Sequence, residues 1–176
     1  MNQGAATLEP QISTYATADC SLGVVLVAAS DKGVCGIFLG DDAAVLVRAM
    51  QTRFSDIHLT SVMAGRDELL KKIVSLIENP TLTLDFPLDV RGTTFQRRVW
   101  QALCEIPIGS TLSYSQVAEK IGSPKSVRAI AGACAANNLA VVIPCHRVIR
   151  SDGQLAGYRW GIERKRTLLA REAKLK

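Results

Sequence analysis

The stretch SYSQVAEKIGSPKSVRAIAGACAANNLAVVIPCHRVI, from Ser113 to Ile149, decides how this chain is read. Ser113-Tyr114-Ser115-Gln116 fits a capping box, with Ser at the N-cap and Gln at the third helical position. The helix that follows buries Val117, Ala118 and Ile121, and Gly122 supplies the left-handed residue that ends it. Ser123 and Pro124 offer a new N-cap and a proline at the first helical position. A second helix then runs to about Ala136 and buries Val127, Ile130, Ala131 and Cys134. Two helices joined by a glycine-containing turn form a helix-turn-helix pattern. The outward face of the second helix presents Lys125, Arg128, Ala129, Gly132, Ala135 and Ala136. A helix reading bases in the major groove calls for more Arg, Asn, Gln or Ser. Small residues instead let a backbone approach closely, and the lone Arg128 suits a narrow groove and a wedge. Packing against another helix is the alternative use of such a face.

The end of the same stretch, Val141 to Ile149, holds a cysteine, a histidine and an arginine inside an apolar run. Buried polar groups are costly unless paired or put to use. A thiol is a nucleophile only as the thiolate, so Cys145 needs a neighbour that lowers its pKa. His146 is the candidate base, since the only other histidine is His58, in the acidic half of the chain. A base needs an orienting group. Glu172 follows Leu168 and Leu169 at helical spacing and shares their inward stripe. A surface carboxylate paired with Arg164, Lys165, Arg166 or Arg171 is its other reading. Pro144 holds Ile143 extended. Cys35, Cys104 and Cys134 read as inert core thiols. The scattered cysteines match no zinc spacing. A cysteine hydrolase is a rival, but its Cys and His normally come from distant parts of the chain.

Outward from this stretch, the 176 residues are 48% apolar and 21% charged, an ordinary globular composition. The five cysteines (20, 35, 104, 134, 145) are an odd number without Cys-x-x-Cys spacing, as expected of reduced, cytosolic thiols. No apolar run is long enough to span a bilayer, and the N-terminus lacks a signal-peptide pattern. Residues 1–90 carry 6 basic and 11 acidic side chains, a balance of −5, whereas residues 91–176 carry 15 and 5, a balance of +10. The second half is therefore the candidate polyanion-binding surface.

Residues 1–14 read as a polar tail. An N-terminal α/β domain over 15–90 has strands at Ser21–Ser30 and Val34–Leu39 joined by an Asp31-Lys32-Gly33 turn. It continues with a helical pattern over Asp41–Phe54, a third strand at His58–Val62 and an amphipathic helix over Asp67–Glu78. An extended linker starts at about residue 79. A second domain over 91–176 opens with a helix from Thr93 or Thr94, through Phe95, Val99, Ala102, Leu103 and Ile106, that Pro107 to Ser110 terminate.

Ile143-Pro144-Cys145-His146-Arg147-Val148, preceded by Asn137 and by the Tyr114…Arg128 helix pair, resembles the O6-alkylguanine-DNA alkyltransferase family over about residues 20–173. Tyr15–Cys20 and Gly157-Tyr158-Arg159-Trp160-Gly161 look nearest to its bacterial Ada-type members. The resemblance implies an N-terminal α/β domain with a ribonuclease-H-like sheet, and a mostly helical catalytic domain containing the helix-turn-helix. It implies irreversible transfer of an alkyl group from guanine O6, and less readily from thymine O4, to Cys145, once per molecule. His146 would act as base through a water, Glu172 would orient it, and Asn137 would hold the bend before the thiol loop. Tyr114 would rotate the damaged nucleotide out and protonate the displaced guanine at N3, and Arg128 would fill the gap, because O6 is otherwise inside the duplex. Lys125, Ala129, Gly132 and Ala135 would meet the minor groove. Val148, Tyr158, Arg159 and Lys165 would line the pocket, with backbone groups near Val148 and Cys145 reading the guanine edge. Arg159 stands where some relatives have Ser and implies a pocket that excludes bulky alkyl groups. Arg147 is expected in a structural ion pair. No metal, no cofactor and no membrane are implied, and the partner is damaged double-stranded DNA, bound by a cytoplasmic monomer. A lesion-binding relative would lack Cys145. A transcription factor would need a richer reading face, and the four-cysteine sensor domain of Ada-type regulators has no counterpart here.

Overall fold

The computed structural model describes residues 13–55, 59–60 and 67–175. The first half builds a four-stranded sheet from β1 (Ser13–Cys20), β2 (Gly23–Ser30), β3 (Gly33–Gly40) and β4 (Leu59–Thr60), in the order β3-β2-β1-β4. β1, β2 and β3 are antiparallel neighbours, and β4 runs parallel to β1. The rest of the segment read as a third strand, including His58, lies outside the described residues.

The unbroken apolar run in β2 has a physical reason. Successive strand residues face opposite ways, and both faces of this sheet are covered. Leu26 and Ala28 join Cys35, Phe38, Leu46, Met50 and Phe54 in one cluster, closed by helix α1 (Ala43–Arg53). Val25, Val27 and Ala29 join Ile73 and Ile77 of α2 (Asp67–Glu78) in the other cluster, which continues into the second half of the chain.

β1 departs from the sequence reading, since it takes in the last two residues assigned to the tail and all of Tyr15–Cys20. Its small and polar residues carry little hydrophobic signal, and its place is set by pairing with β2 from Thr14↔Ala29 to Cys20↔Gly23. Ser21 and Leu22 are therefore the hairpin turn, where a strand was expected to begin. Gly23 sits at φ +108°, and a Cβ there would meet Gly40 O at 2.4 Å, so the turn requires glycine.

The second half comprises α3 (Thr94–Cys104), β5 (Leu112–Ser113), α4 (Tyr114–Lys120), α5 (Val127–Ala136), a 3-10 turn (Cys145–Arg147), β6 (Val148–Ile149) and α6 (Ile162–Ala173). Thr93/Gln96 and Ser113/Gln116 both close reciprocal capping boxes. Gly122 takes φ +72°, and Ser123 N–H donates to Ala118 O at 2.8 Å, which seals the end of α4. α5 starts at Val127, three residues after the position expected from Pro124. Residues 123–126 form their own turn, with Ser126 N–H on Ser123 O at 2.9 Å, and the two hydroxyls bond each other at 2.7 Å. Neither serine side chain is left to cap the helix. Within α5, Ile130 and Ala133 are the buried residues, whereas Ala131 is exposed. Trp100 Nε1–H donates to Ala133 O at 2.8 Å and fixes α3 against α5.

Two segments cover the free edge of β3. Val34 exchanges hydrogen bonds with Pro87 O and Asp89 N. Ile37 N–H donates to Asn138 O at 2.8 Å and Ile37 O accepts from Ala140 N at 3.1 Å. The sheet thus holds the chain directly ahead of the thiol loop. No helix among the described residues is long and apolar enough to cross a membrane.

Candidate active site

α5 ends at Ala136, and the chain turns through Asn137 into Val141, whose φ of +69° is the one left-handed non-glycine conformation among the described residues. A β-branched residue there is strained. Asn137 is fully buried and ties the bend together. Its Oδ1 accepts from Leu139 N at 2.8 Å, and its Nδ2 donates to Ile143 O at 2.9 Å and to Cys145 Sγ at 3.3 Å. One amide therefore connects the end of the helix to the sulfur.

Cys145 sits on the 3-10 turn and is buried. Burial pushes its thiol up to about 11, against the hydrogen bond from Asn137 and the charge of Lys165. The lowered thiol pKa expected from the sequence is thus reversed in the resting site. Desolvation outweighs the neighbours, the thiol is protonated at neutral pH, and a base has to remove its proton.

His146 is fully buried, with Nε2 2.7 Å from Glu172 Oε1. Burial lowers its pKa, and Arg147 and Lys165 add to that, against the hydrogen bond and charge of Glu172. Burial acting alone would raise Glu172, but the hydrogen bonds and charges of His146 and Arg147 hold it at about 2. An ionised carboxylate only accepts, so Nε2 carries the proton of a neutral imidazole and Nδ1 keeps a lone pair. Nδ1 is buried and has no hydrogen-bond partner from the protein. This is the arrangement of a general base.

Arg147 is the ion-pair partner expected from the sequence. Nε donates to Glu172 Oε2 and Nη2 to Oε1, both at 2.9 Å, while Nη1 donates to Ile106 O at 2.6 Å. The basic residues of α6 point elsewhere. Arg164 donates to Leu22 O at 2.7 Å and Arg171 to Ile77 O at 3.0 Å, which docks α6 on the first half of the chain. Lys165 is fully buried beneath the site.

Above the thiol lies a cavity of about 420 Å³, lined by Tyr114, Cys134, Cys145, Ala156, Tyr158 and Arg159 among others. Burial keeps Tyr114 protonated, pushing it up to about 12. Tyr158 meets the His146 ring edge-on at 6.5 Å, and its buried hydroxyl has no protein partner. Val148, fully buried, pairs in β6 with Leu112, and neither it nor Lys165 is among the residues that line the cavity, in contrast to the expectation from sequence. Arg159 does line the cavity, but its guanidinium is held back, donating to Asn137 O at 2.9 Å and Asn138 Oδ1 at 2.8 Å and lying 5.0 Å from the Phe38 ring centroid. Arg53 from α1 donates to the same Asn138 Oδ1 at 2.9 Å and to Ala136 O at 3.0 Å. No sequence signal marks Arg53, and only the Asn137-Asn138 pair at a helix end hints at the junction it grips. Lys125, in the turn before α5, and Arg128, Ala129, Gly132 and Ala135 along α5 are all exposed, and a Cβ on Gly132 would meet nothing within 4 Å. Of the cysteines read as core thiols, Cys35 is buried, Cys134 is half-buried in the cavity wall and Cys104 is exposed.

Residues 94–174 match the family model described as the 6-O-methylguanine DNA methyltransferase DNA-binding domain. The bifunctional transcriptional activator/DNA repair enzyme Ada of Escherichia coli is 51% identical over 159 residues, covering 90% of this chain and 45% of that protein. The chain therefore spans under half the length of its Ada-type relatives. The methylated-DNA–protein-cysteine methyltransferase of Mycolicibacterium paratuberculosis is 39% identical over 158 residues, covering 90% of this chain and 91% of that one. The crystal structure of Mycobacterium tuberculosis OGT in complex with DNA superposes with a TM-score of 0.77 at 34% identity, over 92% of this chain and 93% of that one.

Proposed function

The chain belongs to the methylated-DNA–protein-cysteine methyltransferase family, and from that premise we propose that it repairs O6-alkylguanine in duplex DNA by moving the alkyl group irreversibly onto Cys145. The observation that carries this reading is a buried thiol at the floor of an open cavity, beside a neutral imidazole whose outer nitrogen is fixed by Glu172. A site for hydrolysis would have to admit a second nucleophile after the first step. Here the thiol is the terminus, and each molecule acts once.

The chemistry follows from the protonation states. The Cys145 proton passes to His146 Nδ1, through a bridging water, and Glu172 stabilises the imidazolium so formed. Sulfur attacks the alkyl carbon in line, a C–S bond forms, and the C–O6 bond breaks with its electron pair on guanine. Tyr114, protonated at neutral pH, donates to the displaced base at N3. Asn137 holds the sulfur by its amide, Tyr158 in the cavity wall bounds the purine, and backbone groups near Val148 and Cys145 read its edge.

The α4–turn–α5 unit is the helix-turn-helix that meets DNA, and the sheet of the first half is the family's ribonuclease-H-like sheet. The small exposed side chains Ala129, Gly132 and Ala135 allow close approach to the minor groove. Lys125 contacts the backbone, and Arg128 occupies the space of the extruded nucleotide. The protein acts as a monomer in the cytoplasm, without metal or cofactor, on double-stranded DNA. Titrating the protein into an O6-methylguanine duplex tests this. Lesion content, measured after digestion to nucleosides, should fall by one per protein molecule and then stop. Continued loss beyond one per molecule, or none at all, overturns the reading.

A further inference from the structure

One buried charge in this site lacks a counter-charge. Glu172 is matched by Arg147. Lys165 is fully buried, yet its ammonium is held only by two backbone carbonyls, Val148 O at 2.6 Å and Ala156 O at 3.4 Å. No carboxylate pairs with it among the described residues. Leaving a buried ion without a partner is strongly destabilising. Two neutral carbonyls are met as well by a neutral amide, so anchoring alone does not call for a cation.

The groups around Lys165 and the sulfur are few. The cavity wall around the sulfur contributes Tyr114, Cys134, Tyr158 and Arg159, and behind it His146 and Arg147 meet Glu172. Glu172 is already engaged by His146 and Arg147. Tyr114, Cys134 and Tyr158 are all pushed upward by burial and stay neutral. Cys145 is the one neighbour that the proposed reaction turns into an anion, and Lys165 reaches it through the cavity wall, since its ammonium bonds Ala156 O and Ala156 and Cys145 line the same cavity. Arg159 also acts on the sulfur, but it is exposed and its guanidinium is engaged by Asn137 O and Asn138 Oδ1.

We propose that Lys165 is the counter-ion of the Cys145 thiolate, the buried cation that makes sulfur deprotonation possible in an apolar site. The proposal rests on Cys145 being the acceptor nucleophile. The Cys145 proton leaves for His146, the sulfur keeps the S–H electron pair opposite the Lys165 ammonium, and that pair becomes the C–S bond as the C–O6 pair passes to guanine. One proton leaves sulfur, and one is taken up by the displaced base. Lys165 keeps its protons throughout, so it is a positioning and charge-matching residue rather than an acid or base.

The test reads thiol ionisation without DNA. The full chain is treated with iodoacetamide across the range of about pH 6 to 11, and carbamidomethylation of Cys145 is followed by peptide mass spectrometry. Lys165→Met should slow carbamidomethylation of Cys145 about tenfold or more throughout the range below its midpoint of about 11, the loss that an upward shift of about one unit in the thiol pKa produces. Lys165→Arg should restore most of the reactivity. A Met variant that reacts within about threefold of the unmodified chain below that midpoint, or an Arg variant as slow as the Met variant, overturns the proposal and leaves Lys165 as an anchor. If the Met variant does not fold, the coupling is read from the other side. The Lys165 side-chain Cε resonance is titrated in the unmodified chain and in Cys145→Ser, where its pKa should fall by the same amount, because coupling is reciprocal. Equal values overturn the proposal. Methyl transfer from an O6-methylguanine duplex is run in parallel. A coupled pair that accepts no methyl retires the repair reading, whereas methyl transfer without coupling retires the role of Lys165.

Discussion

Replacing Glu172 with glutamine changes one oxygen to an amide nitrogen and leaves the shape intact, which isolates the electrostatic part of the relay. The carboxylate is 2% exposed and takes three hydrogen bonds, at 2.7, 2.9 and 2.9 Å. A carboxyl held at about 2 instead of the ordinary 4.5 contributes on the order of 3 kcal/mol to folding. In Glu172→Gln the amide accepts at one atom only, so at least one donor of Arg147 or His146 faces another donor. Stability should fall by about 3 kcal/mol, within the range for breaking a buried ion pair. The chemical effect is separate. A neutral amide keeps the shape but not the charge that stabilises the imidazolium, so proton uptake by His146 is disfavoured even where the amide oxygen still accepts from Nε2. General base catalysis is worth about 10²–10⁴ in rate, so single-turnover methyl transfer should slow by at least about 10²-fold. The assay is rapid-quench transfer from a labelled O6-methylguanine duplex with protein in excess, alongside urea unfolding. A folded Glu172→Gln protein that transfers methyl within about threefold of the unmodified rate refutes the relay.

Three further outcomes follow from the same geometry. Because Glu172 is held below its ordinary value in the folded chain, its contribution is complete above about pH 4.5 and drains away as pH falls through about 2. Unfolding free energies over that window should decline for the unmodified chain and stay flatter for Glu172→Gln, and parallel curves would contradict this. Asn137→Ala strips the buried Leu139 N–H and Ile143 O of their side-chain partner. It should cost about 1–3 kcal/mol by urea unfolding and slow methyl transfer at least about tenfold, so a variant as stable and as fast as the parent would exclude Asn137 from holding the loop. Arg159→Ser shortens a side chain of the cavity wall and releases its tether to Asn137 O and Asn138 Oδ1. The rate on O6-benzylguanine should rise relative to O6-methylguanine, and an unchanged ratio would show that Arg159 does not set the size limit.

What could be read from the sequence divides along physical lines. Local signals were legible. The α2 boundaries follow from an amphipathic repeat, and both capping boxes from side chains three residues apart. Glu172 is legible because it follows Leu168 and Leu169 at helical spacing and a base needs an orienting group; in the fold it meets both His146 and Arg147. Signals that depend on distant partners were not legible. β1 is made of small and polar residues and exists because β2 offers it a pairing edge. The late start of α5 comes from two serines that bond each other instead of capping. The raised thiol pKa reflects a depth of burial that no motif encodes, and the grip of Arg53 on Asn138 spans 85 residues.

The central claim is that one sulfur in this chain is a terminal alkyl acceptor. Intact-mass analysis after incubation with excess O6-methylguanine duplex tests it most directly. The account predicts a gain of one methyl per chain and no more, mapped to the peptide containing Cys145, and no gain in Cys145→Ser. An unmodified mass after prolonged exposure, or a methyl on any other residue, would contradict it.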